Sequence, residues 1–197
     1  TVLYYNKPPQ EGMYQHFKTI AGSVSLPCIL YNVPSRTSIN MTSETTLRLS
    51  QVDNIVGVKE ASSDLDQIQR IIGGAPDGFR VWSGNDNETF YMMSMGGYGV
   101  VSVVSHLVGQ QIKQMMGLIL EGDIEKAAAE HHRLMPIFKM MFVMSNPIPV
   151  KYSVNQAGFN AGSPRLPLVV PDEKTATEIN ELVSHYKIDL PMGAAAR

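Results

Sequence analysis

Asn54-Ile55-Val56-Gly57-Val58-Lys59-Glu60-Ala61-Ser62 is an apolar, β-branched run interrupted by a lysine. The run predicts a strand whose side chains alternate, with Ile55, Gly57 and Lys59 on one face and Val56 and Val58 on the other. A primary amine held against apolar surface loses part of its preference for the charged form. A neutral lysine is the nucleophile that forms Schiff bases with carbonyl compounds, which makes Lys59 a candidate reacting residue. The pattern also fits an edge-strand lysine whose stem covers apolar surface while its amine reaches water.

On either side of this run, strands and helices alternate. Val2-Leu3-Tyr4-Tyr5-Asn6 reads as the end of a strand. Met13, Tyr14, Phe17, Ile20 and Ala21 recur at helical spacing and stop at Gly22. A strand follows over 27–32, then a short helix capped by Thr42 or Ser43 and carrying Leu47 and Leu49. Beyond the lysine strand, Ser62 or Ser63 can cap a helix with Leu65, Ile68 and Ile72 on one face, ended by Gly73-Gly74. A strand over 79–83, a helix over 86–95 and a strand over 99–103 complete the series. Such alternation implies parallel strands with right-handed crossovers, in an open doubly wound sheet or a closed barrel. In a (β/α)8 barrel the chemistry gathers at the C-terminal ends of the strands. Tyr5, Tyr31, Lys59 and the Ser83-Gly84-Asn85 turn all fall at or just past strand ends, which favours the barrel.

After Val103 the pattern becomes purely helical. Val108, Ile112, Met115, Met116 and Ile119 form one stripe, ended near Gly122. Asp123 can cap a second helix bearing Ile124, Ala127, His131, Leu134 and Phe138, with a kink predicted at Pro136. A short helix is expected around 150–156 and a last one from Asp172 past Val183, with 193–197 as a frayed tail. Roughly four and a half of a barrel's eight strands are present, and a complete barrel needs about 250 residues. The expectation is therefore an α/β chain holding the second half of a (β/α)8 barrel, from the end of strand 4 to helix 8, followed by a helical appendage. Its domains would be 1–122, carrying Lys59, and 123–197. No internal repeat or low-complexity tract is present.

Bulk properties narrow the function. With 197 residues and 44% hydrophobic composition the chain can bury a real core. A net charge of −2 with interspersed signs offers no footprint for nucleic acid or an anionic membrane, so small-molecule chemistry fits better. The single cysteine, Cys28, excludes an internal disulfide and agrees with a reducing compartment, so the cytoplasm is expected. No run of about 18 apolar residues occurs, nor a signal-peptide pattern after Thr1. The absence of an initiator methionine suggests a processed or truncated chain.

Tyr31, in Leu30-Tyr31-Asn32-Val33-Pro34-Ser35-Arg36-Thr37, ends the strand neighbouring that of Lys59. A phenol there can relay protons to and from a carbinolamine as an imine forms. Pro34 fixes the loop, and Arg36 presents a planar fork suited to a carboxylate. Taken singly, such a tyrosine is more often a packed residue and such an arginine a surface charge; convergence from adjacent strands favours the chemical reading.

These segments, with Ser83-Gly84-Asn85-Asp86 and Asn146-Pro147-Ile148-Pro149-Val150-Lys151, closely resemble the dihydrodipicolinate synthase family. The resemblance runs from Tyr4-Tyr5-Asn6-Lys7-Pro8 to the last helix. The lysine motif alone marks the wider pyruvate-dependent class I aldolases, whereas Arg36 after Tyr-Asn-Val-Pro-Ser is more specific to the synthases.

The resemblance implies condensation of pyruvate with L-aspartate 4-semialdehyde to 4-hydroxy-tetrahydrodipicolinate, on the route to diaminopimelate and lysine. Lys59 would form the imine with pyruvate without any cofactor or metal, and Tyr31 would pass protons. Arg36 would hold the semialdehyde carboxylate. Tyr5 matches a tyrosine that crosses a tight-dimer interface into the neighbour's site. Gly84 and Val101 match positions whose backbone lies against the pyruvate adduct, and Tyr4 matches a wall of a lysine feedback site. A homo-oligomer, a dimer of dimers, is implied. The family's early Gly-Thr-Thr-Gly-Glu motif, which supplies carboxylate contacts and the threonine between the two tyrosines, has no counterpart in these 197 residues. Slow imine formation and poor turnover are the expectation for these residues alone. A sister aldolase acting on N-acetylneuraminate or a 2-keto-3-deoxy acid, and a catalytically inert fragment, are the alternatives.

Other features carry less. Gly96-Gly97-Tyr98-Gly99 precedes a strand instead of leading one into a helix, so it reads as a tight turn and not a phosphate cradle. His131 and His132 are adjacent and face different directions, without metal-pair spacing. The twelve methionines suit adaptable packing, and Trp82 is expected to face the helix layer.

Overall fold

The computed structural model describes residues 1–189. The chain forms two compact units, Thr1–Val101 and Ser102–Arg197. The sequence reading set the division at 122/123. It falls earlier because the helix over Ser105–Leu120 packs on the two helices that begin at Ile124 and Ile148.

The first unit is α/β. In order it contains α1 (Gln10–Gly22), β1 (Cys28–Asn32), α2 (Pro34–Thr37), α3 (Ser43–Leu49), β2 (Ile55–Glu60), α4 (Leu65–Gly74), β3 (Arg80–Ser83), a 3-10 turn (Asp86–Glu88), α5 (Thr89–Ser94) and β4 (Gly99–Val100). The four strands are parallel and lie in the order β1-β2-β3-β4, each beside its successor.

Local chemistry accounts for the starts of α3 and α4. Thr42 caps α3 by accepting the Thr45 N–H. Asp64 caps α4 by accepting the Gln67 N–H at 2.9 Å, in place of Ser62 or Ser63. Ser62 is otherwise engaged, since its hydroxyl accepts the Asp64 N–H, while Ser63 sits at φ 61° in the turn. The helix expected over 86–95 splits into the 3-10 turn and α5, and the strand expected over 99–103 is only two residues long. The Val2–Asn6 stub is not a strand, although the Val2 N–H donates to the Tyr31 carbonyl at 3.0 Å and its side chain is buried.

One layer of core lies between the sheet and its helices, where Leu30, Val58 and Val81 meet Phe17 and Ile68. On α4 the buried pair is Ile68 and Ile71, leaving Leu65 43% exposed. The β1–β2 register slips between Cys28 and Ile29, which pair with Ile55 and Gly57. Val56 is the extra residue of this bulge. Ile55 therefore joins Val58 in the core instead of sharing the face of Lys59. The opposite face carries Ile29, Tyr31, Gly57 and Lys59. Trp82 belongs to it too, contrary to expectation, because it pairs with Lys59 in register while its neighbours Val81 and Ser83 are buried on the helix side. Gly57 has no side chain there because a Cβ would collide with the Arg80 carbonyl and the Trp82 ring.

The second unit is helical: α6 (Ser105–Leu120), α7 (Ile124–Met140), α8 (Ile148–Gln156) and α9 (Glu173–Val183). The α6 stripe buries Val108, Ile112, Met115 and Ile119, and α7 buries Ala127, His131, Leu134 and Phe138. Asp123 caps α7 by accepting the Lys126 N–H. The helix is continuous through Pro136, where one missing N–H is outweighed by the packing of Leu134, Ile137 and Phe138 around it. A break in helical geometry occurs instead in α6, at Val108 (φ −129°, ψ 39°). The tail over 193–197 lies outside the described residues.

Candidate functional site

Tyr31 and Lys59 are register partners near the C-terminal ends of β1 and β2. Side chains of paired residues in parallel strands leave the same face side by side. The Lys59 Nζ lies 4.5 Å from the centroid of the Tyr31 ring, within cation–π range. Both residues are half-buried. Burial pulls the Lys59 amine below the 10.5 of an ordinary lysine, and the Asp86 carboxylate opposes it. Burial pushes the Tyr31 phenol above 10.0, with Arg36 opposing. The pair thus combines an amine readier to be neutral with a phenol that holds its proton.

Gly84 closes the site from β3. Its N–H donates to the Glu60 carbonyl at 2.7 Å, which pulls the turn after β3 onto the end of β2. A Cβ there would stand 2.6 Å from Ala61 Cβ, 3.1 Å from the Glu60 carbonyl oxygen and 3.2 Å from Lys59 Cε. Glycine is thus required for the turn after β3 to lie against the end of β2, beside the lysine stem. Ser83 secures the same turn through its hydroxyl, which donates to the Asn85 carbonyl at 2.7 Å.

The other expected residues are not drawn into this contact. Arg36 is exposed on α2, and its influence on Tyr31 is electrostatic. Tyr5 and Tyr4 are 87% and 69% exposed. Val101 is 44% exposed, and its N–H donates to the Ser83 carbonyl at 2.9 Å. The Asn146–Lys151 segment lines a largely apolar cavity of about 440 Å3 within the second unit, together with His106, and the Lys151 amine donates to the Ser163 carbonyl at 2.9 Å. Among the described residues no cluster of His, Cys, Asp or Glu could hold a metal, and no helix is long and apolar enough to cross a membrane.

Sequence reasoning missed a second layer directly behind the pair. Asn32 and Glu60 are register partners one position beyond Tyr31 and Lys59, point to the helix side and are fully buried. The Glu60 carboxylate accepts from Asn32 Nδ2 at 3.0 and 3.1 Å, from the Ser62 N–H at 2.8 Å and from Gln67 Nε2 at 3.4 Å. Asn32 Oδ1 accepts the Met41 N–H at 3.0 Å, and Asn40 Nδ2 donates to Gln67 Oε1 at 2.8 Å. Period-2 alternation alone could have flagged it, since Glu60 shares the face of Val58.

A parallel α/β sheet with a lysine and a tyrosine stacked at adjoining strand ends places the chain among α/β proteins with a strand-end lysine site. More particularly, the chain belongs to the dihydrodipicolinate synthetase family, whose model matches residues 2–186. It is 56% identical over 191 residues to the 4-hydroxy-tetrahydrodipicolinate synthase of Dehalococcoides mccartyi, a match covering 97% of this chain and 64% of that protein. The dihydrodipicolinate synthase structure from Thermotoga maritima superposes with a TM-score of 0.89 at 44% identity, covering 92% of this chain and 63% of that one. The chloride-inhibited enzyme from Acinetobacter baumannii, solved in complex with pyruvate, gives 0.87 at 34% identity, covering 92% and 62%. The chain spans about 64% of the length of these curated relatives.

Proposed function

We propose that Lys59 forms an imine with pyruvate and that the site serves condensation with L-aspartate 4-semialdehyde. The neutral amine adds to the ketone carbon, Tyr31 passes a proton to the departing hydroxyl, and water leaves to give the iminium. The Tyr31 phenolate takes a methyl proton to yield an enamine, which attacks the aldehyde carbon of the semialdehyde as the phenol returns that proton to the forming alkoxide. The α-amino group of the adduct then displaces Lys59, giving 4-hydroxy-tetrahydrodipicolinate and restoring the free amine. No cofactor or metal enters these steps. The observation that carries the reading is the Lys59 amine held 4.5 Å from the Tyr31 ring centroid and partly desolvated.

In this reading the four strands form part of a (β/α)8 barrel, Arg36 at the site's entrance holds the semialdehyde carboxylate, and the backbone at Gly84 and Val101 lies against the adduct. Tyr5, 87% exposed, is available to a neighbouring subunit of a homotetramer, and Tyr4 to a regulatory lysine site. The half-buried Cys28, a free thiol, accords with a reducing cytoplasmic setting. The names of the relatives support the synthase over a sister aldolase.

Borohydride reduction in the presence of pyruvate, followed by peptide mass mapping, is the test. A pyruvate-sized adduct on Lys59 is the expected result, and its absence from intact folded protein overturns the reading.

A further inference from the structure

The buried Glu60 carboxylate has no part in the imine chemistry just described, yet it lies one residue from the amine that performs it. We infer that Glu60 is a positioning residue that acts through the backbone, clamping the ends of β1 and β2 from the helix side so that Tyr31 and Lys59 meet on the opposite face. This inference rests on the imine reading of Lys59 for its functional consequence, though not for its geometry.

The case begins with alternation. Residues 31 and 59 face one way and residues 32 and 60 the other, so whatever fixes the second pair fixes the first. Glu60 is fixed by hydrogen bonds that all run toward it. Asn32 offers an N–H shared between its two oxygens, while Ser62 and Gln67 each offer one more. Burial pushes the Glu60 carboxyl above the usual carboxylate range, and the hydrogen bonds from Asn32, Ser62 and Gln67 oppose that rise; a set made only of donors suits the acceptor-only carboxylate form. The donors come from three elements: β1, the turn after β2, and α4. Asn32 extends the clamp by accepting the Met41 N–H and donating to Asn40 Oδ1 at 2.7 Å, tying in the α2–α3 connection.

The backbone ties these strand ends through the Ala61 N–H, which donates to the Asn32 carbonyl at 2.9 Å, and the Gly84 N–H, which donates to the Glu60 carbonyl at 2.7 Å. The side-chain clamp adds to these where the β1–β2 register ends, at Asn32 and Glu60, while the other end is slipped by one residue at Cys28. An ordinary apolar residue at position 60 would fill the space without specifying direction. The carboxylate needs Asn32, Ser62 and Gln67 all in place, and an unsatisfied donor buried here is costly, so the geometry is selected sharply.

The substitution Glu60→Gln keeps the shape and replaces one acceptor oxygen by a donor that faces other donors. The control is Asn54→Ala, which removes a part-buried side-chain hydrogen bond of the same unit, to the Ala21 carbonyl at 2.8 Å, at the opposite end of β2. Two readouts are taken on the whole chain. One is the rate of borohydride-trapped pyruvate adduct by intact mass. The other is the nuclear Overhauser contact between the Tyr31 ring and the Lys59 ε-methylene, which needs no substrate.

Glu60→Gln should trap at least tenfold more slowly than wild type and lose the Tyr31–Lys59 contact, while Asn54→Ala keeps both. If Glu60→Gln does not fold, Glu60→Asp, which retains the carboxylate one methylene back, should fold, weaken the contact and trap at an intermediate rate. Wild-type trapping with the contact intact in the folded Glu60 variant overturns the inference, as does slow trapping with the contact preserved, or equal losses in Asn54→Ala. If the wild type traps no pyruvate, the imine reading fails, and the contact in the variants still decides whether Glu60 positions the lysine.

Discussion

Replacing Gly84 by alanine tests the geometry around Lys59 with a single methyl group. That methyl would stand 2.6 Å from Ala61 Cβ, where ordinary contact begins at 3.4 Å, and Ala61 has no flexible side chain with which to yield. The Glu60 carbonyl at 3.1 Å is equally fixed, because it accepts the Gly84 N–H at 2.7 Å. Relief must therefore come from moving the turn after β3 away from the end of β2. Overpacking of this kind costs about 1–3 kcal/mol. Reduced freedom of the unfolded chain returns about 0.4–1 kcal/mol, since no positive φ forbids alanine here. A net loss of about 1–2 kcal/mol corresponds to a fall in Tm of roughly 2–8 °C for a chain of this size. The same displacement moves the Lys59 stem, whose Cε is 3.2 Å from the new methyl, so pyruvate trapping should slow at least tenfold. The matched control is Gly73→Ala on α4, where a Cβ meets nothing within 4 Å. It should raise stability by about 0.5–1 kcal/mol and leave trapping alone. Thermal melts followed by circular dichroism, with adduct formation by intact mass, read both quantities. A Gly84→Ala protein that melts with the wild type and traps pyruvate at the same rate refutes the close-approach reasoning.

Three further outcomes follow from the site and its supports. Lys59 becomes nucleophilic as pH rises through its lowered pKa, so competitive acetylation with peptide mapping should give it a midpoint below 10.5; a midpoint at or above that value contradicts its desolvation. Tyr31→Phe keeps the ring beside the amine but removes the hydroxyl, and should slow adduct formation about 100-fold if the phenol passes the proton, with unchanged kinetics excluding that role. Asp64→Ala removes the α4 cap and should cost about 1 kcal/mol, read as the midpoint of a denaturant melt, whereas Asp64→Asn should restore most of it.

The Lys59–Tyr31 pairing was legible in the sequence because both residues sit near strand ends, where a charged or phenolic side chain in an apolar run has few reasons to be. Alternation then put them on a common face, and β1 and β2 are neighbours in the sheet as they are in sequence. The same alternation failed at Ile55, since a bulge leaves no mark in a run of uniformly apolar residues. It failed at Trp82 for another reason. Size and hydrophobicity suggested the helix layer, whereas strand register, which only pairing reveals, set the ring beside Gly57 on the lysine face. Alternation already puts Glu60 on the face of Val58, but its partners at 32, 40 and 67 are distant in sequence and only the fold brings them to it. The caps at Thr42 and Asp123 were readable, being purely local chemistry.

The bulge at Val56 has a consequence for how this strand tolerates change. Register upstream of the slip and register downstream of it are set by separate pairs, Cys28 with Ile55 on one side and Tyr31 with Lys59 on the other. Deleting Val56 would leave Ile55 directly before Gly57, on the side it already occupies, and Lys59 still opposite Tyr31. The strand thus carries one residue of slack, and a length change that elsewhere would turn the amine into the core is absorbed before it reaches the amine.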